Sequence, residues 1–93
     1  MPQLIHTHTK RVSGPDGALY EARTYGDTQR DGTWIGWLEF RRAARDGDGS
    51  SSPRVLRTDR ETTQPDRAAL DYWAGGLEPV YLEGAVARAR PAD

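Results

Sequence analysis

Three stretches near the start of the chain alternate between apolar or β-branched residues and polar ones, the period of two that marks a half-buried strand. Leu4 to Val12 puts Leu4, His6, His8 and Lys10 on one face and Ile5, Thr7, Thr9 and Arg11 on the other. Leu19 to Gly26 and Thr33 to Arg42 repeat the pattern. Ser13-Gly14-Pro15-Asp16-Gly17 separates the first two and is turn chemistry, with φ preset at Pro15 and a permissive glycine at Gly17. Asp27 to Gly32, a polar segment ending in Asp-Gly, separates the second and third, and that spacing predicts a hairpin. Residues 43–53 have no periodicity and are nearly all small or polar, so a mobile loop is expected there. Arg54 to Arg60 predicts a short fourth strand marked by Val55-Leu56.

The period then lengthens. Ala69, Leu70, Trp73, Ala74 and Leu77 recur at spacings of one, three and four, which is one stripe of a helix. Upstream, Thr63 is the expected cap, Pro65 suits the first turn, and Asp66 faces the positive end of the dipole. Gly75-Gly76 should end this helix by a left-handed cap. From Pro79 to Ala89 the residues are mostly good helix formers, which favours a second helix, although Val80, Leu82, Gly84 and Val86 also alternate as a strand would. Residues 90–93 read as a disordered tail. The fold class expected is therefore α+β, a single domain over residues 1–93. It holds an antiparallel meander of three to four strands, one well-capped helix packed on a face, and a C-terminal helix or extra strand.

That architecture leaves a problem of coverage. In the third strand Trp34, Leu38 and Phe40 share one face, and Ile35 and Trp37 share the other. The second strand offers Leu19 and Tyr25 to one face and Tyr20 and Ala22 to the other, so neither side is plainly polar. Antiparallel sheets ordinarily bury one face and wet the other. One helix can cover one face, with Trp34, Leu38, Phe40, Leu70 and Trp73 as the expected core. The second face needs Tyr81, Leu82 and Val86 folded over it, a second copy of the chain, or a different partner. The first of these is the simplest expectation.

Composition narrows the function. The 93 residues weigh 10.4 kDa, carry a formal charge of −1 with an isoelectric point near 6.1, and have a mean hydropathy of −0.83. Cysteine is absent, which excludes a disulfide scaffold, a thiolate nucleophile and cysteine-ligated metal centres. No apolar run reaches the ~18 residues a membrane span needs, and no secretory signal opens the sequence, so a bacterial-type cytoplasm is the expected location.

Chemistry-bearing patterns are few. His6 and His8 project from one strand face and are weak candidates for a divalent metal, since the chain has no third histidine to complete a site. Asp46-Gly47-Asp48-Gly49-Ser50 resembles a calcium loop, but the twelfth position, where a carboxylate must stand, is Arg57. Ser50, Ser51 and Ser52 lack a nucleophile elbow, and Gly75-Gly76 lacks the lysine of a phosphate loop. Paired carboxylates acting as acid and base are the remaining enzymatic alternative, but a core this small leaves little room for a desolvated pocket, so neither an enzyme nor a cofactor is expected. Residues 41–60 hold six arginines against three aspartates, a local positive excess in a chain with a single lysine. Arg41 with Arg57, or Arg42 with Arg54, could flank an anion, and a nearby indole could stack on a base. The overall acidity argues against a nucleic-acid binder. The expected function is a small non-enzymatic interaction module. It would dock through Ile35 and Trp37, rimmed by Arg41, Arg42, Arg54 and Arg57, onto a protein partner or a second copy of itself. Single-stranded RNA or DNA, or another polyanion, bound at the Arg41–Arg60 end of the sheet is the alternative.

Overall fold

A long hairpin forms the spine of the molecule. Strands β3 (Leu19–Thr28) and β4 (Trp34–Arg42) pair antiparallel in unbroken register from Tyr20 opposite Arg42 to Thr28 opposite Trp34. The turn between them is closed by Gln29 N–H donating to Thr33 O (2.7 Å), by Asp31 Oδ1 accepting from Thr33 N–H (2.9 Å), and by Gly32 at φ +87°. A left-handed backbone there is easy for glycine and costly for other residues. The computed structural model describes residues 1–43 and 55–92, so the loop expected over 43–53 lies almost wholly outside the described residues.

Both neighbours of the spine are broken strands. Along β3 run β1 (Gln3–Thr7), with a bulge between Leu4 and His6, and the two-residue β2 (Val12–Ser13). Along β4 run β5 (Val55–Arg57) and β6 (Thr62–Gln64). Between them Thr58 turns inward. Its N–H donates to Leu38 O (2.9 Å) and its hydroxyl accepts from Leu38 N–H (3.0 Å), so the spine keeps its partners where the edge strand breaks. The expected first strand is thus two, and the fourth gains a continuation at residues where a helix cap was expected.

Two helices follow, α1 (Arg67–Gly75) and α2 (Pro79–Arg88). The cap of α1 is Asp66, whose Oδ1 accepts from Ala69 N–H at 2.8 Å, and not Thr63, which pairs with Ile35 in β6. A carboxylate directly before the first turn satisfies an orphan N–H and meets the positive dipole end together. Gly76 closes α1 at φ −91°, so the left-handed cap expected at Gly75-Gly76 does not form. Pro79 opens α2 in the first turn, as the helical alternative for 79–89 requires. After it, β7 (Arg90–Pro91) pairs with β5, which gives an edge strand where a frayed tail was expected.

The core lies on one side of the sheet. Tyr20, Ala22, Leu38 and Phe40 meet Leu82, Ala85 and Val86 of α2, with Val12 and Ala18 closing the edge. At the other end Leu70 of α1 is fully buried against the registered glycine pair Gly26 and Gly36, where a Cβ on Gly36 would stand 2.6 Å from Leu70 Cδ1. Trp34 and Trp73 are half-buried at the margin, while Leu38, Phe40 and Leu70 have no exposed surface.

Both helices therefore cover the same face, which corrects the expectation that Tyr81, Leu82 and Val86 fold over the other one. Only Gly76 to Glu78 separate the helices, a reach of about 10 Å, too short to carry α2 round a sheet edge.

Candidate docking face

The uncovered side of the sheet is built from the odd positions of β3 and β4. Leu19, Glu21, Arg23, Tyr25 and Asp27 stand on β3, and Ile35, Trp37, Glu39 and Arg41 on β4. None of these nine is buried, although only Leu19 and Arg41 are exposed and the other seven are half-buried, and both described helices pack on the opposite side. Register makes rows of them. Leu4, Tyr25 and Trp37 form an apolar row across three strands, with Ile35 one step further along β4. The next row is Thr7, Arg23, Glu39 and Arg57, and beyond it Glu21, Arg41 and Val55. Leu4 and Leu19 are each nearly half exposed.

Charge on this face is balanced. Arg57 Nε donates to Glu39 Oε2 at 3.2 Å, and Trp37 Nε1 reaches the same oxygen at 3.5 Å. Arg11 Nη2 lies 3.5 Å from Glu21 Oε2. Arg23 and Arg41 make no ion pair among the described residues. Exposed pairs of this kind are worth at most about 1 kcal/mol each.

The residues singled out from the sequence divide accordingly. Ile35, Trp37, Arg41 and Arg57 share the open face. Arg42 does not. It pairs with Tyr20 on the covered side, where its Nε is buried without a hydrogen-bond partner among the described residues. Arg54 lies outside the described residues, as do the serines at 50–52 and the aspartates of the calcium-like loop. Tyr25, Arg23 and Glu39 complete the face and were missed as site residues. The signal for them was strand register: the hairpin sets Tyr25 beside Trp37, the β4–β5 pairing sets Glu39 beside Arg57, and Arg23 stands opposite Glu39.

A second concavity lies at the edge of the covered side. It is a cleft of about 320 Å³ between the start of the sheet and the α1–α2 turn, lined by His6, His8, Lys10, Glu78 and Leu82 among others. The two imidazoles share a face, as the alternation requires, and meet edge to face with centroids 4.7 Å apart. His8 Nε2 is 2.8 Å from Thr24 Oγ1, and burial, with a smaller contribution from His6, lowers its pKa to about 4. His8 is thus held neutral. Among the described residues no three His, Asp or Glu side chains gather as metal ligands would.

Glu61, in the β5–β6 link, ties α2 down. Arg88 donates to its two oxygens at 2.6 and 3.0 Å, and Tyr81 Oη donates at 2.6 Å. Burial pushes the Glu61 carboxyl up, but the hydrogen bonds from Arg88 and Tyr81 outweigh it and hold the group below the usual carboxylate range. Tyr81 also meets Trp73 edge to face at 6.1 Å, which joins the two helices.

The fold and face define a small α+β domain with an open-faced antiparallel sheet. Comparison of the chain with protein families, with curated proteins and with solved structures gives no match. No helix among the described residues is long and apolar enough to cross a membrane.

Proposed function

We propose that this protein is a non-enzymatic, cytoplasmic docking module whose partner seats on the open face of the sheet, centred on Tyr25 and Trp37. One observation carries the reading. Both helices among the described residues are spent on one face, while the other keeps an aromatic row at its centre with arginines and carboxylates around it. Aromatic residues and arginine are the types that dominate protein interfaces. Trp37 and Ile35 are the anchors, and Arg41 and Arg57 form part of the rim.

Base stacking on Tyr25 and Trp37 is the second reading, favoured by their adjacency on the two central strands. Glu21, Glu39 and Asp27 on the same face oppose it, because they would repel a phosphate backbone.

The test is a photoreactive phenylalanine analogue placed at Ile35, on the open face, and separately at Tyr72, exposed on α1. Docking predicts covalent protein adducts from position 35 and few from position 72. Equal yields from both positions would contradict it. Salt-sensitive binding of single-stranded RNA that is weakened by Arg41→Ala would favour the second reading instead.

A further inference from the structure

If the open face is a docking surface, as argued above, its charge pattern names the partner. Across β3 and β4 the registered pairs on this face are Glu21 with Arg41, Arg23 with Glu39, Tyr25 with Trp37 and, beside the turn, Asp27 with Ile35. The first three join opposite charges or two aromatic rings, while Asp27 has its own partner in the N-terminal ammonium at 3.3 Å. Consider a two-fold axis that runs along the strands, in the plane of contact, midway between β3 and β4. It lays β3 of one copy over β4 of the other and leaves positions along the strands unchanged. Every β3 and β4 residue on this face then meets the copy of the residue it already stands beside in the hairpin. Glu21 faces Arg41 of the second copy, Arg23 faces Glu39, and Tyr25 faces Trp37. The register that makes the hairpin's own pairs compatible thus makes the face complementary to itself, which a closed two-fold interface requires.

An axis across the strands serves less well. Set between the rows of Glu21 and Arg23, it also opposes unlike charges, but it carries Tyr25 towards Leu19 and leaves Trp37 over Ala43. Set on the row of Tyr25 and Trp37, such an axis stacks each ring on its own copy but places Glu39 over Ile35 and carries Glu21 and Arg41 past the turn. The axis along the strands alone brings the rings together and also opposes unlike charges in both charged rows, and aligned sheets are a common way for sheets to pack. Charge permits the approach, since Arg23, Arg41 and Arg57 balance Glu21, Asp27 and Glu39 and the face does not repel its copy. Arg23 and Arg41, without ion pairs among the described residues, have their charge to give. Size permits it too. Ten residues of β3 extend about 33 Å and four strands span about 19 Å. That projected area approaches the roughly 800 Å² each partner contributes to a standard interface.

We propose that the protein forms a two-fold homodimer through this face, with β3 of each protomer stacked over β4 of its partner. Sedimentation equilibrium tests it. The wild-type chain is expected to approach twice its 10.4 kDa mass as concentration rises. R23E and E39R each set like charges against one another across the axis and should sediment as monomers. An equimolar mixture of the two should regain the doubled mass, because the two carboxylates of one chain then meet the two guanidinium groups of the other. The double variant R23E/E39R reverses every affected pair on one chain and should also dimerise, which separates a lost contact from a lost fold. R23E mixed with E21R should stay monomeric. A wild-type chain that remains at 10.4 kDa, an R23E chain that dimerises like the wild type, or rescue by E21R in place of E39R would each overturn the proposal. Failure of the dimer is distinguishable from failure of docking. A monomeric wild type that still yields adducts from position 35 to another protein retires only the dimer, whereas loss of the adducts retires both.

Discussion

Leu70 does more for the covered face than either tryptophan that flanks it. Its side chain is fully buried in a notch that exists because Gly26 and Gly36 face each other across the hairpin without Cβ atoms. Leu70→Ala should cost about 2–5 kcal/mol, since the floor of that notch is paired strand backbone, with Ile5 and Thr62 beside it, and cannot rise into the space left. Trp73→Ala should cost less than Leu70→Ala although it removes more atoms, because the indole is only half-buried. Urea unfolding of both variants checks the order. His8 makes a second prediction at this scale. Burial holds its pKa near 4 in the folded chain, against 6.5 ordinarily, so the unfolded chain binds the extra proton between those values. Stability should therefore fall as pH drops from about 6.5 towards 4, with the contribution fully present above that window. His8→Gln keeps a polar group towards Thr24 but cannot titrate, and denaturation midpoints measured across the window should lose that part of their slope.

At the scale of elements, α2 is held by its apolar stripe and by one carboxylate. Glu61 accepts from Arg88 and Tyr81, so Glu61→Ala should cost about 2 kcal/mol and loosen α2 before the hairpin. Because the Glu61 pKa is lowered, this clasp is present above the ordinary carboxylate range and is lost as pH falls through and below it. Amide exchange of α2 against that of β4 would register the difference. The hairpin, its turn and the apolar stripe of α1 were legible in the sequence, because alternation, Asp-Gly and 3.6-residue spacing are local signals. Three features were not. Asp66 and Thr63 are both acceptable caps by type, and Thr63 was claimed by strand pairing with Ile35, a contact from 28 positions away. The division of each edge strand into two pieces depends on the bulge at Leu4–His6 and the inward turn of Thr58, which no local pattern announces. The frayed tail became β7 because β5 offered an open edge, again a long-range fact.

Over the whole molecule, the sequence posed the right question about coverage and its simplest answer failed. Apolar residues on both faces of the hairpin were visible from alternation alone. Which face each helix takes was not, because it turns on the brevity of the Gly76–Glu78 link. Of the residues proposed for binding, those separated by even steps along β4 kept a common face, and Arg42 fell to the other side by parity. The proposed docking requires that Trp37 lie on a face that no described helix covers and that association would close. The three indole N–H groups report this in a nitrogen–proton correlation spectrum of the wild-type protein recorded from millimolar to micromolar concentration. The Trp37 signal should shift steadily with dilution while those of Trp34 and Trp73, on the covered side, hold their positions. A Trp37 signal that does not move, or three signals that move together, would contradict it.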